Sequence, residues 1–147
     1  MEKEALNLLN DINRAIIKFR GIYSSWSNEH CISYHEMLVF YTIREYGYCT
    51  QKQICDSYIL PKQTINNVIT AMRKDGVLEY DEGNSKGREK AFVLSTKGKE
   101  YAAPFLHSLN VVENRALELM GKEKLQTLTE LLLKYDLALN TALEESR

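Results

Sequence analysis

Leu60-Pro61-Lys62-Gln63-Thr64-Ile65-Asn66-Asn67-Val68-Ile69-Thr70-Ala71-Met72-Arg73-Lys74-Asp75-Gly76 is the stretch that decides the fold. Ile65, Val68, Ile69 and Met72 recur at steps of three and four, the spacing of one helix face. Pro61 suits the first turn, where its missing amide hydrogen costs nothing. Asp75-Gly76 supplies the stop. Just upstream, Thr50-x-x-Gln53 is a capping box, in which hydroxyl and side-chain amide satisfy the first free backbone amides. It opens a short helix holding Ile54, Cys55 and Tyr58. Two short helices with a tight connection, the second starting at a proline, form a helix-turn-helix.

Beyond Gly76 the period changes. Val77, Leu78 and Tyr80 predict a strand, and Ala91-Phe92-Val93-Leu94 a second. The polar Asp81–Arg88 segment between them predicts a hairpin loop of about eight residues. A hairpin directly after a helix-turn-helix is a wing. Upstream, Ser33-x-x-Glu36 is another capping box, continued by Met37, Leu38, Phe40 and Tyr41 and stopped at Gly47. Downstream, Ser95 caps a helix from Thr96 onward, in which Pro104 is expected to cause a kink.

The two ends share a different signal. Ala5, Leu9, Ile12, Ile16, Phe19, Tyr23 and Trp26 alternate steps of four and three, and so do Leu125, Leu128, Leu132, Tyr135, Leu139 and Ala142. Each is a heptad-like seam that must bury itself against another helix, in the same chain or a second copy. The expected fold is mainly α with a small β-hairpin wing. It is one domain over residues 1–147, with a winged-helix lobe at 33–98 flanked by dimerisation helices at 1–32 and 99–147.

The bulk properties narrow the function. The chain has 147 residues, enough for a core without disulfides or a structural metal. No apolar run approaches the roughly 18 residues that span a bilayer, and Met1-Glu2-Lys3-Glu4 does not open a signal peptide, so a cytoplasmic location without membrane contact is expected. Cys31, Cys49 and Cys55 form no disulfide framework. The net charge is −1, yet residues 61–99 carry eight Lys and Arg against five Asp and Glu, a local +3 in an otherwise acidic chain. Such a bias suits a phosphate-bearing partner. No phosphate-binding glycine loop, nucleophile elbow or metal-hydrolase helix is present, so no enzyme, cofactor or metal site is expected.

Lys62, Gln63, Thr64, Asn66, Asn67 and Thr70 lie off the apolar face of the second helix. Lys and Thr suit phosphates, and Gln and Asn pair with adenine in the major groove of double-stranded DNA. With Pro61 at the helix start they form the candidate DNA-binding set, completed by Lys86, Arg88 and Lys90 in the wing. An arginine at a hairpin tip fits a narrow, A·T-rich minor groove.

These blocks together resemble the multiple-antibiotic-resistance regulator (MarR) family over nearly the whole sequence. The residues that carry the resemblance are Thr50-Gln51-Lys52-Gln53-Ile54, Leu60-Pro61-Lys62-Gln63-Thr64-Ile65, Met72-Arg73-Lys74-Asp75-Gly76-Val77-Leu78 and Leu94-Ser95-Thr96-Lys97-Gly98. The resemblance implies a homodimer whose terminal helices intertwine and whose two lobes straddle a pseudo-palindromic DNA site, as a transcriptional regulator, in the first place a repressor. It departs from the family at two places. Lys86 stands where an acid commonly orients the tip arginine, which predicts a tip held less tightly or leaning on phosphates. Glu36 replaces a common glutamine.

The resemblance also implies a small aromatic or lipophilic ligand, held between the dimer helices and the lobe, with Phe19, Tyr23, Trp26, Tyr34 and Phe40 as candidate lining. Three alternatives stand beside this reading. Redox sensing would use Cys31, Cys49 or Cys55, although none lies early in the first helix. Metal sensing would draw on His30, Cys31, His35, Glu36 and His107. A protein-interaction module would keep the winged helix without reading DNA; the polar residues of the second helix and the basic wing favour DNA.

Overall fold

The computed structural model describes residues 1–147 and divides into two compact units, Met1–Leu106 and His107–Arg147. The first holds α1 (Lys3–Glu29), α2 (Tyr34–Tyr46), β1 (Cys49–Thr50), α3 (Gln51–Tyr58), α4 (Lys62–Lys74), β2 (Leu78–Lys86), β3 (Glu89–Leu94) and the start of α5 (Thr96–Met120). The rest of α5 and α6 (Lys122–Glu145) make up the second. No helix is long and apolar enough to cross a membrane.

The helix boundaries follow local chemistry. Ser33 Oγ accepts from the Glu36 amide at 3.1 Å while Glu36 Oε2 accepts from the Ser33 amide at 2.9 Å, so both predicted halves of the box form. Glu36 thereby has a structural role. The Thr50–Gln53 box is equally complete, with distances of 3.0 and 2.7 Å. Gly47 ends α2 at φ 81°, a conformation that costs glycine little. Pro61 stands one step earlier than expected, as the extended residue before α4 rather than in its first turn. α5 continues across Pro104, losing the amide hydrogen bond that proline cannot make but not its helical path.

Ile65, Ile69 and Met72 of α4 are buried, as are Met37, Leu38, Val39, Phe40 and Ile43 of α2, Ile54 of α3 and Phe92 and Leu94 of β3. They form the core of the winged-helix lobe, whose sheet has the antiparallel order β1-β3-β2. The two-residue β1, absent from the sequence reading, pairs Cys49 with Phe92 and Thr50 with Ala91. It fixes the start of α3 to the root of the wing.

The wing itself corrects an expectation. Its strands run on to Lys86 and from Glu89, which pair, so the tip is only Gly87-Arg88 rather than an eight-residue loop. The turn-forming residues Glu82–Ser85 instead bulge out of β2 between the Asp81–Ala91 and Lys86–Glu89 pairs. The Asp81 carboxylate holds that bulge, accepting from the Gly83 amide at 3.1 Å and from Asn84 Nδ2 at 2.6 Å. Ser85 Oγ donates to the Asp81 carbonyl at 2.7 Å and accepts from the Ala91 amide at 2.9 Å. A bulge of this kind adds twist and re-aims the strand. Although Lys86 removes an acid near the tip, Asp81 and Ser85 brace the wing from below.

The wing root is seated on α5. Ser95 Oγ accepts from the Gly98 amide at 2.9 Å, the predicted cap, and the Ser95 amide donates to the Val77 carbonyl at 3.0 Å. A Cβ on Gly98 would meet that carbonyl oxygen at 2.0 Å, so only glycine permits the approach.

Candidate nucleic-acid interface

Gln63, Asn67, Thr70 and Lys74 are exposed and follow one another along α4 at steps of four, three and four. They form a stripe opposite the buried face, with Asn66 exposed on its flank. Gln63 Nε2 donates to Asn67 Oδ1 at 2.8 Å, linking two of the candidate residues across one turn. Lys62 and Pro61 are exposed at the helix start, whereas Thr64 is half-buried. The Lys62 carbonyl accepts from Gln51 Nε2 at 2.8 Å, which ties α3 to the first turn of α4. Lys74 was not among the candidates, although its spacing from Thr70 extends the stripe.

At the other end of α4, the Arg73 guanidinium stacks 4.3 Å from the Tyr80 ring centroid and 5.5 Å from that of Phe92. Contacts of this kind are worth about 0.5–1 kcal/mol where exposed. Here they join the end of α4 to β2 and β3 of the wing.

A groove of about 560 Å³ lies between α3, the start of α4 and the wing, lined by Gln51, Lys52, Cys55, Asp56, Lys62, Arg88 and other residues. Two carboxylates reach it, and both are engaged. Asp56 pairs with Lys52, and Glu89 Oε1 accepts from Thr50 Oγ1. The Asp56 hydrogen bond raises the Lys52 ammonium above its ordinary value. Thus Lys62 and Arg88, distant in sequence, meet in one groove. Gln51 and Lys52 join them; the capping box at Thr50, which sets the start of α3, was the available signal. Lys90 is exposed elsewhere: it lines a separate depression with Tyr80, Glu82, Ser85 and Gly87, and its Nζ donates to the Gly87 carbonyl at 3.4 Å. Lys86 is exposed on the strand before the tip.

A second cleft, of about 200 Å³, is lined by Tyr23 of α1, Tyr34, Met37, Leu38 and Tyr41 of α2, and Tyr58 of α3. Arg20 stacks on Tyr34 at 5.4 Å and Arg44 on Tyr41 at 4.2 Å, so two cations flank an aromatic wall. Burial raises the Tyr58 hydroxyl above its ordinary value. Of the aromatic residues proposed for such a cleft, Tyr23 and Tyr34 line it. Trp26 and Phe40 are core instead, Trp26 stacking on His30 at 4.3 Å and Phe40 on Phe105 at 6.4 Å. Phe19 is exposed on α1. Trp26 Nε1 is buried without a hydrogen-bond partner.

All three cysteines are free: Cys31 is exposed, Cys55 half-buried and Cys49 buried. Burial pushes the Cys49 thiol up to about 12. Burial, with Asp56 second, raises Cys55 as well, against the pull of Lys62. Neither has the lowered thiol pKa of a redox-reactive cysteine. Nowhere do three His, Cys, Asp or Glu side chains converge in a way that could hold a metal ion.

Three helices, a two-residue strand and a hairpin in this arrangement define a winged helix. Within that class, the chain has the fold of the MarR family of transcriptional regulators. A MarR family regulator from Neisseria meningitidis superposes with a TM-score of 0.85 at 25% identity, over 95% of this chain and 99% of that one. NadR, solved with 4-hydroxyphenylacetate, gives 0.71 at 16% identity over 84% and 91%. A MarR family protein from Listeria monocytogenes, solved with a 26mer DNA, gives 0.65 at 17% identity over 87% and 85%. No family model and no curated protein matches the sequence.

Proposed function

We propose that this chain is a homodimeric, sequence-specific DNA-binding transcriptional regulator, acting as a repressor on a pseudo-palindromic site under the control of a small aromatic ligand. The observation that carries the reading is the outer stripe of α4. Gln63, Asn67 and Thr70 are exposed, uncharged hydrogen-bonding side chains on the second helix of a helix-turn-helix. Such a helix places its early residues against base edges in the major groove. Lys62 and Arg88, meeting in the adjacent groove, suit the phosphates between helix and wing, with Lys52 and Gln51 beside them. Thr64 and Pro61 shape the first turn; Asn66, Lys86 and Lys90 flank the contact. The Listeria structure with DNA supports the same use of the fold.

The homodimer rests on exposed apolar surface. α6 has no buried residue, and Leu131, Leu133, Leu137 and Leu143 stand more than half exposed, as do Leu8, Ile17 and Ile22 on α1. A helix that is apolar on most sides belongs inside an assembly. The occupant is a second copy, because pairing α1 and α6 with their equivalents also sets two lobes side by side for a two-fold site.

Ligand control rests on the tyrosine cleft, which joins α1 to α2 and α3. A molecule that fits one spacing of these helices better than another shifts the lobe between states. NadR, solved with an aromatic acid, supports this class of ligand.

The test is fluorescence anisotropy with duplex DNA from upstream of the protein's own gene, scrambled competitor and a salt series. Specific binding that weakens steeply with salt is expected. Binding no tighter than to scrambled duplex, on a genome-wide set of fragments too, would overturn the DNA reading in favour of a protein partner.

A further inference from the structure

We infer that Gln63 and Asn67 read DNA as a single unit, and that the unit selects adenine at one position of each half-site. This rests on the DNA-binding role proposed above and adds the base that the helix reads.

The two amides are hydrogen-bonded, Gln63 Nε2 to Asn67 Oδ1 at 2.8 Å. Each amide carries one acceptor oxygen and one donor nitrogen. The bond engages the donor end of Gln63 and the acceptor end of Asn67, leaving Gln63 Oε1 and Asn67 Nδ2 as the ends without a partner. Exchanging the roles of the two amides changes nothing essential, since one donor end and one acceptor end remain in either case. Both residues are exposed and lie on the outer stripe, four residues apart, in the first half of α4. The pair therefore presents one acceptor and one donor, linked across one helical turn, at the part of a recognition helix that meets base edges.

In the major groove, adenine offers an acceptor, N7, and a donor, N6, on its own edge. Guanine offers two acceptors, cytosine one donor, and thymine an acceptor and a methyl group. Only adenine complements the pair on a single base: its N6 amino group donates to Gln63 Oε1, and Asn67 Nδ2 donates to its N7. Either amide could instead contact the adenine bidentately while its second hydrogen or lone pair keeps the bond to the other, and in that arrangement too the two residues serve one base. The existing bond also restrains two flexible side chains before DNA arrives, which lowers the ordering cost of the contact.

Joint reading has a signature that independent reading lacks. If each residue read its own base, Gln63→Ala and Asn67→Ala would relax different positions, and their effects would add. If they read together, both variants relax the same position, and the double variant loses nothing further. The experiment is selection from a randomised duplex library by the full-length wild-type protein, Gln63→Ala, Asn67→Ala and the double variant. Circular dichroism serves to check that each is folded.

The expected result is an adenine in each wild-type half-site, favoured about 10-fold or more, with that preference near unity in all three variants while the other positions keep theirs. Relaxation at two different positions, additive losses, or a guanine, cytosine or thymine at the affected position would overturn the joint reading while leaving the DNA-binding role standing. Enrichment of no sequence by the wild type would overturn that role itself, and the joint reading with it.

Discussion

α4 and α6 carry the same signal in the sequence, apolar residues at steps of three and four, yet their fates differ. α4 buries its stripe almost completely, with Ile65 at 0%, Ile69 at 4% and Met72 at 3% exposure. α6 buries nothing fully; Leu133 is 66% and Leu137 67% exposed, on the side away from the expected seam. A seam shows only that a helix needs a neighbour. In α4 the chain supplies that neighbour through α2, α3 and the sheet, and the opposite face is left polar for a ligand of different chemistry. In α6 the apolar surface outgrows one face, and the proposed neighbour is a second copy.

That contrast can be broken from either side. The largest effect is expected at the satisfied seam. Ile65→Ala removes fully buried volume and should cost about 2–5 kcal/mol, read as a lower denaturation midpoint. A loss under about 1 kcal/mol would mean that the α4 core is not packed as described. At the unsatisfied seam, Leu139→Glu, on a residue that is 52% exposed, should leave the lobe's fold intact but halve the mass measured by sedimentation and weaken DNA binding. A stable dimer of the variant would place the pairing surface elsewhere.

Two smaller changes sharpen the picture inside the lobe. Arg73→Ala removes the stack on Tyr80 and Phe92. It should cost about 0.5–1 kcal/mol of stability and blur DNA contacts at the wing more than at α4, seen by footprinting. Equal loss at both would argue against a positioning role. Ile59, exposed and held at φ 50° in the turn between α3 and α4, pays the steric cost of a left-handed conformation. Ile59→Gly should relieve about 1 kcal/mol and raise the unfolding midpoint. An unchanged or lower midpoint would show that the side chain has a contact worth more than the strain.

What the sequence disclosed, it disclosed through local chemistry. The two capping boxes and the Gly47 stop form as read, because hydroxyl, carboxylate and amide partners lie within three residues of each other. The wing tip was misplaced because Asp81-Glu82-Gly83-Asn84 is turn chemistry wherever it stands; only the pairing of Lys86 with Glu89 shows that it serves as a bulge. β1 has no periodicity to detect in two residues. The aromatic cleft was only half legible. Trp26 follows Tyr23 at a helical step of three and Phe40 shares α2 with Tyr34, and which of them face a cavity depends on packing between helices. Tyr41 and Tyr58 enter it for the same non-local reason. The Gln63–Asn67 bond could be anticipated from i, i+4 spacing, but its consequence emerged only with both residues on the exposed stripe.

The central claim joins the two regions: polar α4 faces read DNA, and apolar terminal helices pair two copies to do so. Hydroxyl-radical footprinting of a bound duplex tests both at once. The account predicts two protected half-sites related by two-fold symmetry, their centres about 10 base pairs or a multiple apart, with minor-groove protection at the flanks where Arg88 sits. A single asymmetric patch of protection would contradict it.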